Sequence, residues 1–210
     1  GFFYDNTLSS GAITPYLPTI IPFSFLPVSI IFFPRQALNL KEIKNVHNAH
    51  REDIAFIQFS SGTTGTPKPI AISHDALYQN AWAIIAKMKE KVSKPRTVSW
   101  LPLYHDMGLV GTMLCSLMAR SELILIPPEQ FISQPLLWPK TMSDFKANIS
   151  VAPNFAYGLC SKKISAHELE GLDFSHWEIA LCGAETVHPH TLDHFYELLA
   201  PFGFKKHALT

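Results

Sequence analysis

The residues best equipped for chemistry stand in one run, Ser60-Ser61-Gly62-Thr63-Thr64-Gly65-Thr66-Pro67-Lys68. Gly62 and Gly65 let backbone N–H groups approach and turn toward an anion. The hydroxyls of Ser61, Thr63 and Thr64 add donors, and Lys68 brings a mobile positive charge suited to phosphate oxygens. Such a run is a candidate phosphate grip. The usual nucleotide-binding loop has four residues between its first Gly and a Gly-Lys-Ser/Thr ending; here the lysine follows Thr-Pro, so this is a different loop. Composition alone also fits a surface turn, since Ser, Thr, Gly and Pro dominate ordinary turns.

A second group is Leu101-Pro102-Leu103-Tyr104-His105-Asp106-Met107-Gly108. A histidine at the mouth of a strand, flanked by an aromatic and opening an apolar helix, could orient a carboxylate with its ring N–H while the apolar residues line an acyl channel. An ordinary loop hydrogen bond is the plainer role for such a side chain. A third group, Val151-Ala152-Pro153-Asn154-Phe155-Ala156-Tyr157, could wall a pocket, with core packing as its default. His188, His190 and His194 invite a metal reading, the last two lying one helical turn apart. Without a nearby Cys or an obvious carboxylate ligand, a solvated face suits them better, and no metal site is assigned.

These groups need a frame. The run Ile54-Ala55-Phe56-Ile57 is short and unbroken, which predicts a buried strand feeding the hydroxyl-rich loop. Residues 69–72 read as a second strand, and Ser73 as the N-cap of a helix whose Leu77, Ala81, Ile84, Ile85 and Met88 share one face. The charged stretch 87–94, closed by Pro95, reads as a solvated helix end. Strands are then expected at 98–101, 123–126, 149–152 and 178–182. Residues 102–108 form a loop, and helices are expected at 109–118, 134–145, from 154, and from Pro189. The strand before Pro127-Pro128 is expected to stop there, and Leu192, Phe195, Tyr196 and Leu199 follow helical spacing. The alternation predicts an α/β fold, a sheet with helices on its faces, in which ligands sit at the carboxyl ends of strands.

Composition narrows the partners. Seventeen basic residues balance seventeen acidic ones, which gives no reason to expect a nucleic acid or an anionic membrane. Hydrophobic residues make up 47%, too many for a disordered chain. Cys115, Cys160 and Cys182 lie far apart, which fits buried thiols in a reducing cytoplasm rather than a disulfide framework. The apolar stretch 19–34 carries three prolines, which restrict strands to edges or starts, and is too short to span a bilayer; irregular extended structure is expected there, with no stable membrane insertion. Residues 39–53 read as a surface connection. The chain starts at Gly1 and stops at Thr210 straight after an apolar segment, which leads us to expect a fragment.

The order of residues 60–68 resembles the phosphate-loop signature of the adenylate-forming superfamily, which includes acyl-CoA synthetases, luciferases, adenylation domains of peptide synthetases and fatty acyl-AMP ligases. Residues 101–108 resemble its aromatic-His motif, and the Tyr-His-Asp-Met-Gly form is most similar to fatty acyl-AMP ligases. Leu181-Cys182-Gly183-Ala184-Glu185 resembles the family's Gly-Ala-Glu loop, and Leu-Ala-Pro-Phe-Gly-Phe at 199–204 is typical of the ligase branch. The resemblance implies a partial AMP-binding domain at 51–210, part of the N-terminal domain of an acyl-adenylate synthetase, after a segment 1–50 that matches poorly. It implies that a fatty acid is activated with ATP and Mg2+ to an acyl-adenylate, then passed to the thiol of an acyl carrier protein or of coenzyme A. On the same basis Ser61, Gly62, Thr63, Thr64, Gly65 and Lys68 would hold phosphates, and His105 would sit by the reacting carboxylate. Gly183, Ala184 and Glu185 would border the adenine. Lys68 and His105 are the catalytic candidates.

Two departures matter. The family reads Pro-Lys-Gly where this chain has Pro67-Lys68-Pro69, which removes a backbone N–H and fixes φ, a change tolerable where residue 69 starts a strand. The family's magnesium-binding Glu motif, ribose-binding Asp and C-terminal Lys are not found within the 210 residues. The resemblance therefore implies that this chain alone does not complete the reaction, and leaves a non-catalytic remnant or adenylate-binding module as the alternative.

Overall fold

The computed structural model describes residues 19–22, 29–32, 48–60 and 68–210. The proline-interrupted N-terminal stretch supplies β1 (Thr19–Pro22) and β2 (Ser29–Phe32), paired antiparallel with Thr19 opposite Phe32 and Pro22 opposite Ser29. β1 lies at one edge of a sheet, where a strand proline is tolerated.

β3 (Ile54–Ser60) and β4 (Lys68–Ser73) form a separate antiparallel pair. The expected strand at Ile54 is present, but it is not buried: Ile54, Ile57 and Phe59 are all more than half exposed. The reason is the period of two. Ile57 and Phe59 alternate with Phe56 and Gln58, so one side of the pair carries Ile57, Phe59 and their partners Ala71 and Pro69, all exposed, while Phe56 and its partner Ile72 are half-buried. Ser73 caps the next helix, α1 (His74–Lys89), accepting a hydrogen bond from the Ala76 N–H at 3.2 Å, and Leu77, Ala81 and Ile85 form its buried stripe.

The alternation then runs β5 (Arg96–Ser99), α2 (Asp106–Gly108), a π-helical stretch Leu109–Leu114, α3 (Cys115–Ala119), β6 (Glu122–Leu125), α4 (Pro128–Ser133), α5 (Leu137–Asp144), β7 (Ile149–Ala152), α6 (Asn154–Lys163), β8 (Ile179–Cys182) and α7 (Pro189–Leu199). Three expectations need correcting. The strand expected at 98–101 ends at Ser99. The single helix expected at 134–145 is α5 alone, preceded by α4, because Pro128 opens a helix at its first position instead of only stopping the strand. The helix expected from Leu109 begins at Asp106, and its first turns are wound as a π-helix.

The described residues place β1-β2-β6-β5-β7-β8 in one sheet, with β6, β5, β7 and β8 parallel. Beneath it Trp138 is fully buried, with the rings of Trp100, Phe131, Tyr157, Trp177 and Phe195 at centroid distances between 5.3 and 6.1 Å. Its Nε1–H donates to Ser150 Oγ at 2.9 Å, and the Ser150 hydroxyl donates to the Val98 carbonyl at 2.7 Å, so β7 and β5 are tied through a buried polar relay.

Candidate functional site

The chain leaves β5 for β6 on one side and later runs from β7 to β8 on the other, so the strand order reverses between β5 and β7. Loops there diverge, and the crevice outside the carboxyl ends of the two strands is where open α/β sheets bind ligands. The loop after β5 carries His105, the turn after β7 carries Asn154 and Phe155, and the loop after β8 carries Gly183, Ala184 and Glu185. Residues 101–108, 151–157 and 181–185 thus share one end of the sheet.

His105 sits on a tight turn. Its N–H donates to the Pro102 carbonyl at 3.2 Å, and its own carbonyl accepts from Gly108 and Leu109 at 3.1 and 2.8 Å. His105 Nδ1 lies 2.7 Å from Asp106 Oδ1 and 3.3 Å from the Met107 nitrogen. Met107 N–H has the nearer acceptor in Asp106 Oδ1, at 2.8 Å. Nδ1 is thus engaged within the turn, accepting from the Met107 N–H, and Nε2 is the ring atom left for a ligand. The imidazole is about half exposed. Gly108 is required by proximity: a Cβ there would stand 2.3 Å from the Pro102 oxygen. The Thr112 hydroxyl then donates to the Gly108 carbonyl, inside the π-helical stretch, a winding often found at functional sites.

The loop after β8 is fastened to the start of α6. Gly183 N–H donates to the Ala152 carbonyl at 3.2 Å, Glu185 Oε1 accepts from Phe155 N–H at 2.5 Å, and Asn154 Oδ1 accepts from His188 N–H at 3.0 Å. Below it, the buried Tyr157 hydroxyl donates to the Leu181 carbonyl at 3.0 Å. Within this bracket Ala184 has φ of 67°, a left-handed conformation uncommon for a residue with a Cβ. Residues 154 and 155 of the third group thus hold the loop that follows β8.

Trp100 was also not singled out. Its ring stacks on Phe131 at 4.0 Å and meets Phe155 edge-on at 6.0 Å, and its buried Nε1 is among the described side-chain atoms with no hydrogen-bond partner. A tryptophan directly after a strand gives no sequence signal that its N–H lacks a partner.

The remaining candidates are placed as follows. Ser61, Gly62, Thr63, Thr64 and Gly65 lie outside the described residues. Lys68 opens β4, and Pro69 follows as its second residue, opposite Phe59 on the exposed side of a two-stranded pair. His188, His190 and His194 are exposed, with ring centroids 5.7 and 6.3 Å apart in sequence order. Cys115 and Cys160 are buried, but Cys182 is only half-buried, because it is the last residue of β8 and reaches the open end of the sheet. Burial pushes the Cys115 thiol up to about 12. Burial also raises Cys160, and raises Cys182 with a smaller contribution from the Glu185 carboxylate.

A model of the AMP-binding enzyme family matches residues 23–205. The chain belongs to this family. Its relatives include a medium-chain fatty acid acyl-carrier-protein ligase of Teredinibacter turnerae, 35% identical over 164 residues, which is 77% of this chain and 25% of that protein. A 4-hydroxyphenylalkanoate adenylyltransferase of Mycobacterium marinum is 34% identical over 157 residues, 74% of this chain and 25% of the relative. Among solved structures, the fatty acyl-adenylate ligase of L. pneumophila, in complex with acyl adenylate and pyrophosphate, superposes with a TM-score of 0.73 and 39% identity, over 79% of this chain and 29% of that one. The chain thus spans about a quarter of the length of these curated relatives. The α/β architecture expected from the sequence is that of the family's solved members. No helix of the described residues is long and apolar enough to cross a membrane.

Proposed function

We propose that this AMP-binding chain takes part in ATP-dependent activation of a fatty acid as its acyl-adenylate, for transfer to the thiol of an acyl carrier protein or coenzyme A. One observation carries the reading: the loops bearing His105 and Ala184 both open at the carboxyl end of the parallel strands, beside the strand-order reversal. The residues fit an adenylate. Between Cys182 and Glu185 no side chain exceeds a methyl group, which leaves a flat surface for a base, and Leu103, Tyr104 and Phe155 are exposed near the mouth as apolar surface for an acyl chain. His105 presents Nε2 to the carboxylate, and Lys68, with the hydroxyl-rich run before it, supplies charge and donors for phosphate oxygens. ATP, when bound, supplies the leaving pyrophosphate; this chain's residues bind, orient and shield. Among the described residues no three His, Cys, Asp or Glu side chains stand close enough to hold a metal ion, so magnesium is assigned no residue in that part.

A non-catalytic adenylate-binding role is the second reading, favoured by the Pro67-Lys68-Pro69 sequence. The position of Pro69 inside an exposed strand supports compatibility of this proline with the loop, since such a strand end tolerates the missing N–H. Calorimetry separates the readings. Binding of ATP should weaken about tenfold or more in Lys68→Ala, the worth of one charge-assisted hydrogen bond. A non-hydrolysable dodecanoyl-adenylate should bind the wild type, and pyrophosphate exchange should be lost in His105→Ala. Nucleotide binding without exchange in any variant, Pro69→Gly included, would establish the binding module; no binding by a cooperatively melting chain would defeat both readings.

A further inference from the structure

The loop that carries His105 is closed at its base by two buried hydroxyls. Ser99, the last residue of β5, is fully buried, and its Oγ accepts from the Leu101 N–H at 3.2 Å, where the loop begins. Thr112, buried in the π-helical stretch, donates its hydroxyl to the Gly108 carbonyl at 2.5 Å, where the loop ends. The two side-chain oxygens stand 3.4 Å apart. Thr112 has one hydroxyl proton, and the Gly108 carbonyl is its nearer acceptor, so the Ser99 hydroxyl is the donor between them. The bonds therefore run head to tail, from the Leu101 N–H through Ser99 and Thr112 to the Gly108 carbonyl, an order in which each polarises the next. The Ser99 carbonyl also accepts from the Ile126 N–H at 2.9 Å, which anchors this relay to the end of β6.

Between those ends the loop is exposed from Leu103 to Asp106, and among the described residues the side-chain hydrogen bonds of His105 and Asp106 stay within the turn itself. Two hydroxyls in a dry layer are costly to bury unless their hydrogen bonds are completed, and once completed they favour a single arrangement. From this geometry we infer that Ser99 and Thr112 are positioning residues: their relay fixes the separation of the loop's two ends, and with it the place at which His105 presents Nε2. The inference rests on the proposed role of His105 and adds what holds that ring in place. Both hydroxyls are sealed beneath the loop, so they act through His105 and not on a ligand.

The test removes the Thr112 hydroxyl while keeping the side chain's shape, as Thr112→Val in the full chain. Thr141 supplies the control, because it is equally buried and its hydroxyl donates to the Leu137 carbonyl four residues back at 2.7 Å, the same bond made within α5. Both valine variants should lower the melting temperature by about 2–4 °C, the scale of one hydrogen bond in a chain of this size. Only the site readouts separate them. In 1H–15N spectra of the ligand-free chain, the His105 ring resonances should move in Thr112→Val, stay in place in Thr141→Val, and return in Thr112→Ser, which restores the hydroxyl. By calorimetry, Thr112→Val and Ser99→Ala should each weaken binding of the non-hydrolysable dodecanoyl-adenylate about fivefold, with Thr141→Val unchanged. In a His105→Ala background Thr112→Val should have no further effect, since the relay acts through that ring. Unmoved His105 resonances in Thr112→Val, or a fivefold loss that persists without His105, overturns the positioning role. Wild-type affinity in His105→Ala overturns the proposed role of His105 instead, while the ring resonances still report whether the relay holds the ring.

Discussion

Gly108→Ala tests how the His105 turn is built. Gly108 has φ of −77° and ψ of −48°, ordinary helical values, so alanine meets no backbone strain and should gain about 1 kcal/mol of helix propensity. Against this, a Cβ would stand 2.3 Å from the Pro102 oxygen, 3.0 Å from its carbonyl carbon and 3.2 Å from Leu101 Cβ. The first is a backbone atom that also accepts from His105 N–H, so it cannot swing aside as a side chain would. Overpacking of this kind costs about 1–3 kcal/mol or more, and a backbone clash belongs at the upper end. The net expectation is destabilisation by about 1–2 kcal/mol, or a fall of about 2–8 °C in melting temperature for a chain of this size. Dodecanoyl-adenylate affinity should fall further than stability alone accounts for, because relief of the clash moves the turn that carries His105. Gly158→Ala is the internal control. It lies within α6, and its added Cβ would meet only the Thr191 methyl, at 3.3 Å, so propensity and crowding nearly cancel and the variant should melt within a few degrees of wild type. If Gly108→Ala melts at or above wild type, close approach is not what requires glycine at this position.

Three further expectations follow from the same geometry. Ser150→Ala removes the acceptor of the buried Trp138 Nε1–H and should destabilise by about 1–3 kcal/mol, read as a shift in denaturant midpoint; a neutral result would mean the relay is replaced by water. Thiol alkylation of the folded chain should reach Cys182 first and accelerate with rising pH, as thiolate forms, while Cys115 and Cys160 should react only in denaturant; early labelling of either in the native protein would contradict their burial. Glu168 is held below its ordinary value, chiefly by the Ser165 backbone N–H, and Asp173 by that of Ser175. Depressed carboxylates contribute stability that is present above their unfolded values and lost as pH falls through the folded ones, so a Glu168→Gln, Asp173→Asn double variant should show a shallower loss of stability below about pH 5. Parallel curves would exclude that contribution.

Elements governed by local rules were readable from the sequence. Ile149–Ala152 was expected at its observed bounds, Ser73 is the N-cap it was read to be, and Pro189 opens α7 with Phe195 and Leu199 on its buried side. Failures arose where one residue type serves two rules. Pro127-Pro128 ends β6 and also starts α4, because the first helical position needs no N–H. The unbroken apolar run at Ile54 gave a strand correctly but not its burial, since only the tertiary arrangement decides which faces of a pair are covered. The π-helical turns after Gly108 have no local sequence signature at all.

The site divides in the same way. Residue types fixed what each loop could do, and strand alternation fixed the end of the sheet at which His105 and Ala184 appear, because parallel strands joined by helices must all open in one direction. Spacing carries no information about hydrogen bonds between loops that are neighbours only across the sheet. Asp106 adjoins His105 in sequence, so a contact between them could have been suspected. Glu185 finds Phe155 thirty residues away, through a pairing of β7 with β8 that no local pattern specifies. The left-handed Ala184 makes this concrete: glycine would signal such a conformation in sequence, whereas alanine conceals it, and only the bonds on either side show that the position is held there. Chemistry at this end of the sheet is thus set by residue type, and its geometry by contacts whose partners become neighbours only after β7 and β8 have paired.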